Sequence, residues 1–386
     1  YGMLDDVSAL SSFSDTADHY LRRQHRFNLH FDYLLKTKGE SNIHIKPEWH
    51  YTGQQGFGKI DEVTSYYSGG NENDFVLNFN LDALKRKSWM FDFDFFMALT
   101  QFNNKRSENN QRIWAYGIPK INLTFNEWSV SAGFKIGFYD DAAGGGSGFL
   151  LPDVAVSYTF GNHISIYGEV KGQVIRNDFN SVVSQNRYVS DSITLNTSIE
   201  KIGLKLGMSG GLLPRMTYHI NVSIKSIDDQ LYFTNNKMDP SYFDVVYDVG
   251  NSSRFDSESY LNFDVANDVS LFAVFTFNQI KTSTIKTPWH TPSTSFQMGA
   301  KLGLIEDKLF LSPYFIHLSN IKAWSKADEI IVLPNILDFG IDINMLFNNK
   351  IGAFLKIRNL LGKENQRYNL YSSREFDIYG GISVRF

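Results

Sequence analysis

The chain has 386 residues, a formal net charge of −4 at pH 7 and no cysteine. The nearly balanced charge, without any long basic run, gives no support to nucleic-acid binding, and the lack of cysteine excludes disulfides and thiolate metal sites. No stretch of about 18 or more consecutive apolar residues is present, so we predict no transmembrane helix. A chain of this length is too long for one ordinary core unless it forms a barrel or solenoid that grows by repetition.

Apolar and polar residues alternate along most of the chain. The pattern is clear in RFNLHFDYLLK (26–36), NIHIKPEWHY (42–51), SWMFDFDFFMAL (88–99), WSVSAGFKIGF (128–138), MTYHINVSIK (216–225) and REFDIYGGISVRF (374–386). Successive side chains of a strand point to opposite faces, and about ten residues let a tilted strand cross a bilayer. The alternation therefore predicts membrane-spanning strands with one lipid-facing side and one side toward a polar interior.

The connections between these segments alternate in length. The short ones are 84–88, 126–128, 161–163, 212–215, 267–268, 306–307 and 348–350, and the long polar ones are 53–73, 101–111, 139–148, 177–192, 227–241, 280–293, 319–331 and 361–374. Short periplasmic turns at one end and long extracellular loops at the other are typical of outer-membrane barrels. We therefore predict an all-β, transmembrane, antiparallel up-and-down β-barrel, integral to the outer membrane of a Gram-negative bacterium.

Seventeen segments qualify as strands. They are 24–36, 42–52, 74–84, 88–100, 112–125, 128–139, 149–160, 163–176, 199–210, 215–226, 243–265, 269–280, 294–305, 308–318, 332–346, 350–360 and 376–386. We interpret 243–265 as one long strand with a bulge near GNSSR (250–254), because two strands there would break the alternation of turns and loops.

Bacterial single-chain barrels usually have an even number of strands. We therefore expect about 18 strands, within a range of 16–22, with one or more strands or an N-terminal region upstream of those assigned. Residues 1–386 show no domain boundary and are interpreted as a single barrel domain, in which 1–23 are an extracellular loop or lead-in.

Charged residues on the inward face are candidates for contact with a solute in the lumen. They are Glu48, Asp92, Asp94, Glu169, Lys46, Lys135 and Lys171. The four carboxylates form either an acidic stripe that selects cations or sugars, as carboxylate rings do in channels, or a set of solvated groups paired with the three lysines.

The histidines do not predict a metal site or an active site. His30, His44 and His50 point inward from neighbouring predicted strands, but a metal site needs convergent ligands and the strand register cannot be read from the sequence. Outer-membrane hydrolases pair Ser or Asp with His near the rim, and the nine scattered histidines match no such motif. We expect no metal, no cofactor and no enzymatic activity. The six tryptophans lie mostly near predicted strand ends, where we interpret them as membrane-interface anchors.

The last strand carries a candidate assembly signal, made of Tyr379, Ile382, Val384 and the terminal Phe386. An alternating final strand that ends in Phe resembles the signal recognised by the outer-membrane barrel-assembly machinery. The expected partners are therefore outer-membrane lipid and, during biogenesis, that machinery, with the C-terminus on the periplasmic side.

Residues 333–386 resemble the C-terminal strands of TonB-dependent receptors, especially those of Bacteroidota. The resemblance rests on an N-L-x-x-K-x-x-x-Y element, here Asn359, Leu360, Lys363 and Tyr368, before a final strand that ends in Phe. Residues 197–224 and 291–304 are similar to a mid-barrel hairpin and a later strand of the same family. Such receptors also carry an N-terminal plug and an energy-coupling box, and neither is visible in this sequence.

The resemblance, together with the lack of a visible plug and energy-coupling box, leads to two functional hypotheses. The first is a transport barrel that admits a small solute through its lumen. The second is a plugless, non-transporting subunit of a larger outer-membrane assembly, such as barrel-assembly or secretion machinery, with other outer-membrane or lipoprotein subunits as partners. The second hypothesis predicts a lumen blocked by loops.

Overall fold

The computed structural model describes residues 21–36, 41–59, 65–83, 85–86, 88–104, 110–141, 145–161, 163–190, 193–237, 240, 242–305, 308–324, 329–348, 350–373 and 375–384. Phe386, the end of the candidate assembly signal, lies outside these residues. None of the described helices is long and apolar enough to span a membrane.

The first half of the chain contributes β1 (Leu21–His30), β2 (Tyr33–Lys36), β3 (Asn42–Lys59), β4 (Ser65–Ala83), β5 (Trp89–Asn104), β6 (Asn110–Phe125), β7 (Trp128–Asp141), β8 (Gly145–Phe160), β9 (Ile164–Ile175) and the helix α1 (Phe179–Gln185). The second half contributes β10 (Ser198–Leu213), β11 (Met216–Asn235), β12 (Phe243–Ala266), β13 (Val269–Lys281), β14 (Thr294–Ile305), β15 (Leu309–Ser319), β16 (Lys322–Trp324), β17 (Ile330–Val332), β18 (Ile336–Leu346), β19 (Ile351–Arg358), β20 (Gln366–Tyr368), β21 (Tyr371–Ser372) and β22 (Asp377–Val384).

Eighteen of these strands form one sheet, and the pairs β16–β17 and β20–β21 are separate hairpins. β1 and β2 both pair with β3 in one register, with His30 opposite Glu48 and Tyr33 opposite Ile45. The gap between them at 31–32 lies beside Pro47, which has no N–H to donate to a ladder. β1 and β2 are thus two parts of one pass, and the resulting seventeen passes correspond one to one with the predicted segments.

From β3 to β15 each strand pairs antiparallel with the next along the chain, and the ladder continues through β18 and β19 to β22. Antiparallel neighbours place alternate connections at opposite ends of the sheet. The short turns therefore share one end, and the longer connections share the other. The predicted all-β, up-and-down barrel of about 18 strands is confirmed.

The two faces of the wall differ as the alternation predicts. On β7, Phe134, Ile136 and Phe138 are 45%, 52% and 48% exposed, whereas Lys135 and Tyr139 on the opposite face are half-buried. A row of half-exposed large apolar side chains in a strand of about 14 residues is typical of a lipid-facing surface. The opposite face carries the polar residues and lines the lumen.

Several predicted long loops are instead continuations of the strands. β3 and β4 remain paired from Tyr51–Asn73 to Lys59–Ser65, within the predicted loop 53–73, and β11 runs to Asn235. Outside the membrane no face has to be apolar, so polar sequences continue the ladder through backbone hydrogen bonds alone. The period-2 pattern therefore marks only the membrane-embedded part of each strand.

β12 is one strand of 24 residues, as predicted for 243–265. Its register against β11 shifts between the pairs Asp228–Asn251 and Gln230–Asp248, which places an extra residue on β12. Gly250, with φ of 91°, occupies this bulge. The predicted bulge near 250–254 is therefore confirmed.

Candidate functional site

The end of the barrel opposite the short turns is covered by a loop cap, which we define as the described residues of 176–197, 282–293, 320–335 and 359–373. The segment 176–197 connects β9 to β10 and contains α1. It contacts β3 through Gln54, whose Nε2 donates to the carbonyl of Arg187 at 3.0 Å, and the 359–373 loop through Tyr368. The segment therefore extends from its own strands, β9 and β10, to β3 near the start of the ladder and to the loop that precedes β22, the last strand.

Both ends of the 176–197 segment are fixed by a buried pair on the inner face of β6 and β7. Arg112 and Asp141 form a salt bridge of 2.8 Å. Arg112 also donates to the carbonyls of Arg176 (2.7 Å) and Asn177 (3.2 Å). Asp141 accepts from the backbone N–H of Thr197 at 2.6 Å. Because the same pair holds the first and last residues of the segment, the loop starts and returns at one point on the wall.

The start of α1 is held by carboxylates. Asp178 accepts from the Ser181 N–H at 2.7 Å, and Glu72 on β4 accepts from the N–H groups of Phe179 (2.8 Å) and Asn180 (3.1 Å). Arg176 is 2.9 Å from Asp178. Burial alone would raise the pKa of Asp178, but the nearby Arg176 guanidinium outweighs it and lowers that pKa. The carboxylate therefore stays ionised and keeps the helix start in place.

An apolar core lies behind this helix. It joins the α1 segment to strand ends from both halves of the chain, and its fully or nearly buried members are Phe102, Phe179, Val182, Val183, Val189, Ile193, Leu195, Phe233 and Phe243. Tyr188 stacks on Tyr371 with ring centroids 3.5 Å apart, which ties the core to the 359–373 loop. Large apolar side chains buried between loops hold these loops together as the core of a soluble domain does.

The element that resembles the TonB-dependent receptor family forms part of this cap. Asn359 Nδ2 donates to the carbonyl of Lys363 at 2.7 Å, and Lys363 Nζ donates to the carbonyl of Asn335 at 3.2 Å. Tyr368 Oη then donates to the carbonyl of Gln185, at the end of α1, at 2.6 Å. The motif thus stabilises the 359–373 loop by a local hydrogen bond and places Tyr368 in contact with the 176–197 segment.

His290 joins its own segment to two other segments of the cap and to β11. Its Nδ1 lies 2.9 Å from the carbonyl of Phe233, its Nε2 is 3.3 Å from the N–H of Asn369, and its own N–H donates to the carbonyl of Lys322. This geometry requires a neutral ring with the proton on Nδ1. The pKa of His290 is lowered to about 4, chiefly by burial; the hydrogen bond to the Phe233 carbonyl acts in the opposite direction, and the charge of Arg367 lowers the pKa as burial does.

The lumen wall below the cap holds most of the charged residues that the sequence singles out. Lys120 Nζ is 2.7 Å from Asp94 and 3.9 Å from Asp153, and Asp92 accepts from Asn122. Glu169 and Lys171 are 3.3 Å apart. Lys135 donates to the carbonyl of Gly172 at 3.2 Å. The described wall from β5 to β9 therefore carries interleaved charges of both signs.

The two remaining lumen candidates lie on β3. Lys46 is opposite Asn78 of β4 in the ladder, and Glu48 lies between His30 and His50. Among the described residues, Glu48 thus forms ion-pair contacts with two histidines and with none of the lysines.

The described part of the candidate assembly signal is on β22. Ile382 and Val384 are 75% and 53% exposed on the lipid-facing side. Tyr379 lies on the other face, where Lys356 Nζ is 5.9 Å from its ring centroid. The three residues therefore belong to both faces of the strand.

Two of the six tryptophans are not interface anchors. Trp114 is fully buried and donates from Nε1 to Thr197 Oγ1 at 2.8 Å, and Trp289 is also buried within the cap. Trp49, Trp89 and Trp128 are about two-fifths exposed, as expected for anchors. The sequence places most of the six near strand ends, but it gives no sign that loops cover two of them.

No family model matches the sequence, and no curated protein is significantly similar to it. Solved structures do share the fold. The FrpB iron transporter from Neisseria meningitidis has a TM-score of 0.71 at 9% identity, covering 95% of this chain and 63% of that chain. The ferric-catecholate import receptor Fiu from K12 E. coli has a TM-score of 0.66 at 8% identity, covering 96% and 65%. The ferric enterobactin receptor PfeA from Pseudomonas aeruginosa has a TM-score of 0.66 at 8% identity, covering 95% and 62%.

This chain therefore spans less than two thirds of the length of each of these structures. At identities of 8–9% the likeness concerns the fold alone. At that level, the expected resemblance to TonB-dependent receptor barrels is confirmed, and the chain has the fold of an outer-membrane β-barrel.

Proposed function

We propose that this chain forms the wall and the loop cap of an outer-membrane transport barrel that admits a small solute through its lumen. The observation that carries the proposal is the solvent exposure of the charged wall below the cap. The side chains of Asp94, Glu169 and Lys171 are 28%, 28% and 45% exposed although they point into the barrel. Charged groups with this exposure require water around them, which supports a water-containing lumen over a packed core at this level of the wall.

The fold gives independent support, since FrpB, Fiu and PfeA are described as an iron transporter, a ferric-catecholate import receptor and a ferric enterobactin receptor. The cap would then control entry from outside, and the charged wall would contact the solute on its way through.

The test is ion conductance of the purified protein in planar bilayers. The matched variant replaces 179–195 by a short glycine-serine linker. We expect the wall to tolerate this change, because Arg112 and Asp141 hold both ends of the segment together. We expect larger conductance steps from the shortened variant than from the wild-type protein. A correctly folded shortened variant that conducts no ions would contradict the proposal.

Charge reversal then shows whether ions pass along the identified wall. In a salt gradient, Lys171→Glu should shift the reversal potential toward cation selectivity, and Glu169→Lys should shift it toward anion selectivity. The control is Lys201→Glu at the exposed irregularity of β10, where the side chain is 57% exposed. If Lys201→Glu shifts the reversal potential by as much as the two β9 variants do, the ions do not pass along the β9 wall.

The loop cap itself favours a second candidate, a non-transporting subunit of an outer-membrane assembly. The segment 176–197 crosses the capped end of the barrel and has its own apolar core, as expected of a loop that blocks the lumen. For such a subunit, the wild-type protein conducts no ions, and gentle detergent extraction retains partner subunits.

We also infer that the C-terminus faces the periplasm and that the barrel-assembly machinery recognises the final strand. Phe386→Ala should lower the amount of protein in the outer membrane, measured on intact cells against Ile378→Val, a conservative control on the same face of β22 outside the signal. Unchanged membrane levels of Phe386→Ala would contradict this signal.

A further inference from the structure

Three side chains with metal-binding groups converge on the inner face of β1 and β3. Glu48 Oε2 is 3.2 Å from His50 Nε2 and 3.8 Å from His30 Nδ1. These three atoms lie within 4.8 Å of one another, and no other group of this kind occurs among the residues that the structure describes. The ladder register brings them together, because His30 is opposite Glu48 and Asn28 is opposite His50.

The group lies in the lumen below the loop cap. Glu48 and His50 share a face of β3 with Thr52 and Gln54, and Gln54 donates to the cap at Arg187. Trp49, on the other face, is 39% exposed toward the lipid. Gln54 is four residues along the strand from His50, which corresponds to about 13 Å. The group is therefore within reach of anything that passes the cap.

The spacing suits a divalent metal ion. Bonds of about 2.0–2.1 Å from zinc to nitrogen and oxygen place tetrahedral ligand atoms about 3.3 Å apart. The 3.2 Å and 3.8 Å separations around Glu48 are close to that value. The side chain of His30 is 60% exposed and can therefore move the remaining distance. Three protein ligands leave one coordination position open.

A neighbouring amide already orients one ligand. His50 Nδ1 is 3.0 Å from Asn28 Oδ1, so the ring donates there and directs the Nε2 lone pair at the Glu48 carboxylate. Metal-ligating histidines commonly donate their second N–H to an oxygen acceptor in this way. Two acceptor atoms 3.2 Å apart need a proton or a cation between them. A proton satisfies His50 and Glu48 alone, whereas a metal ion also satisfies His30.

We propose that His30, Glu48 and His50 bind a divalent first-row transition metal ion of the zinc class on the lumen wall. Two imidazoles and a carboxylate, without sulfur, match this class and not the soft cuprous ion. This binding does not depend on the proposed transport function, because it requires only the observed register and side chains.

The experiment is calorimetric titration of Zn²⁺ alone into the detergent-solubilised protein after treatment with a chelator. We expect one ion per chain. Glu48→Gln and His50→Ala should each weaken binding by more than about 100-fold. Asn28→Ala should weaken it by about 10- to 100-fold, since loss of an outer partner typically has that effect. The control is His219→Ala, another lumen-facing histidine, whose ring contacts Tyr167 instead.

The proposal fails if the wild-type protein binds no Zn²⁺, or if Glu48→Gln and His50→Ala bind it as the wild type does. Loss of binding in His219→Ala alone would place the ion elsewhere and would also overturn it. Electron paramagnetic resonance with Cu²⁺ gives a readout that does not depend on stability. We expect two coordinated nitrogens in the wild-type protein and one in His30→Ala, and a spectrum without nitrogen coupling would contradict the site.

Discussion

The barrel wall and the loop cap are built according to different rules. In the wall each strand pairs with its neighbour in sequence, and one alternating pattern decides which side chain meets lipid. In the cap, helix α1 packs against β5, β11 and β12, and no period in the sequence marks the contacting residues. The local alternation of apolar and polar residues is therefore sufficient to specify the wall, whereas a few long-range buried contacts specify the cap. Substitutions should therefore affect the two regions separately.

The largest effect should come from the core of the cap. Phe179 is fully buried, with its ring centroid 4.8 Å from that of Phe102. Phe179→Ala should destabilise the cap by about 3–5 kcal/mol, as is typical when a buried Phe is truncated. Hydrogen exchange should accelerate in 176–197 and remain unchanged in β7 and β14. Equal acceleration in the strands would show that cap and wall unfold as one unit.

The wall should be most sensitive on its lipid-facing side. Phe134, near the middle of β7, is 45% exposed. Phe134→Arg should reduce the free energy of unfolding by about 2–4 kcal/mol, because it places a charge near the bilayer midplane. Ser131→Arg, on the lumen-facing side of the same strand, is the matched control and should have much less effect. Equilibrium refolding into lipid vesicles measures both, and similar losses would show that the two faces are assigned incorrectly.

Acidification should act on the cap before it acts on the wall. The pKa of His290 is about 4 in the folded cap, below its ordinary value near 6.5, so the opened state binds a proton first as the pH falls. The stability contributed by neutral His290 is complete above about pH 6.5 and decreases down to about pH 4. The loss should be about 2 kcal/mol at pH 5.

The measurement is hydrogen exchange of residues 282–293 between pH 7 and pH 5, corrected for the intrinsic rate. His290→Asn is the control, because Asn tolerates the positive φ of 53° at this position and does not titrate in this range. The difference between the two proteins isolates the imidazole. A pH dependence that persists in His290→Asn would assign the effect to other groups.

The smallest effect concerns the bulge of β12. Gly250 has φ of 91°, and a Cβ there would lie 3.3 Å from Ser283 Oγ. Gly250→Ala should cost about 1–2 kcal/mol, because L-residues are strained at positive φ. Gly211→Ala on β10, where a Cβ would find nothing nearer than 3.7 Å, should be neutral or slightly stabilising. Thermal unfolding of the two variants checks the difference, and equal stability would contradict the strain at Gly250.

The wall could be predicted from the sequence because lipid imposes a rule on every second residue. The strand extensions beyond residue 52 of β3 and beyond residue 226 of β11 could not, since no solvent of low polarity constrains them there. The prediction that Trp114 and Trp289 are interface anchors was wrong for a related reason. Proximity to a strand end predicts a membrane interface only where no loop folds back over it.

The candidate sites could not be predicted in full, because their contacts depend on the register between strands, which the pattern of a single strand does not contain. Asp94 was expected to be solvated or paired with Lys46, Lys135 or Lys171, and its partner is Lys120 of the neighbouring strand. His30 and His50 could be placed on the inner face, but only the register shows that Glu48 lies between them. Tyr368 was found through the family resemblance, whereas its contact with Gln185 requires the folded barrel.

The separation in sequence between the partners of the cap has a consequence for the order of folding. Tyr368 and Gln185 are 183 residues apart, and Gln54 and Arg187 are 133 residues apart, whereas a β-hairpin of the wall closes over a few residues. Long closures are entropically costly and slow until intervening structure has formed. Pulse-labelling of amides during refolding should therefore protect β10 and β11 before 176–197, and the reverse order would refute this sequence of events. A newly inserted barrel consequently passes through an intermediate in which the strands are paired but the loop cap has not yet assembled.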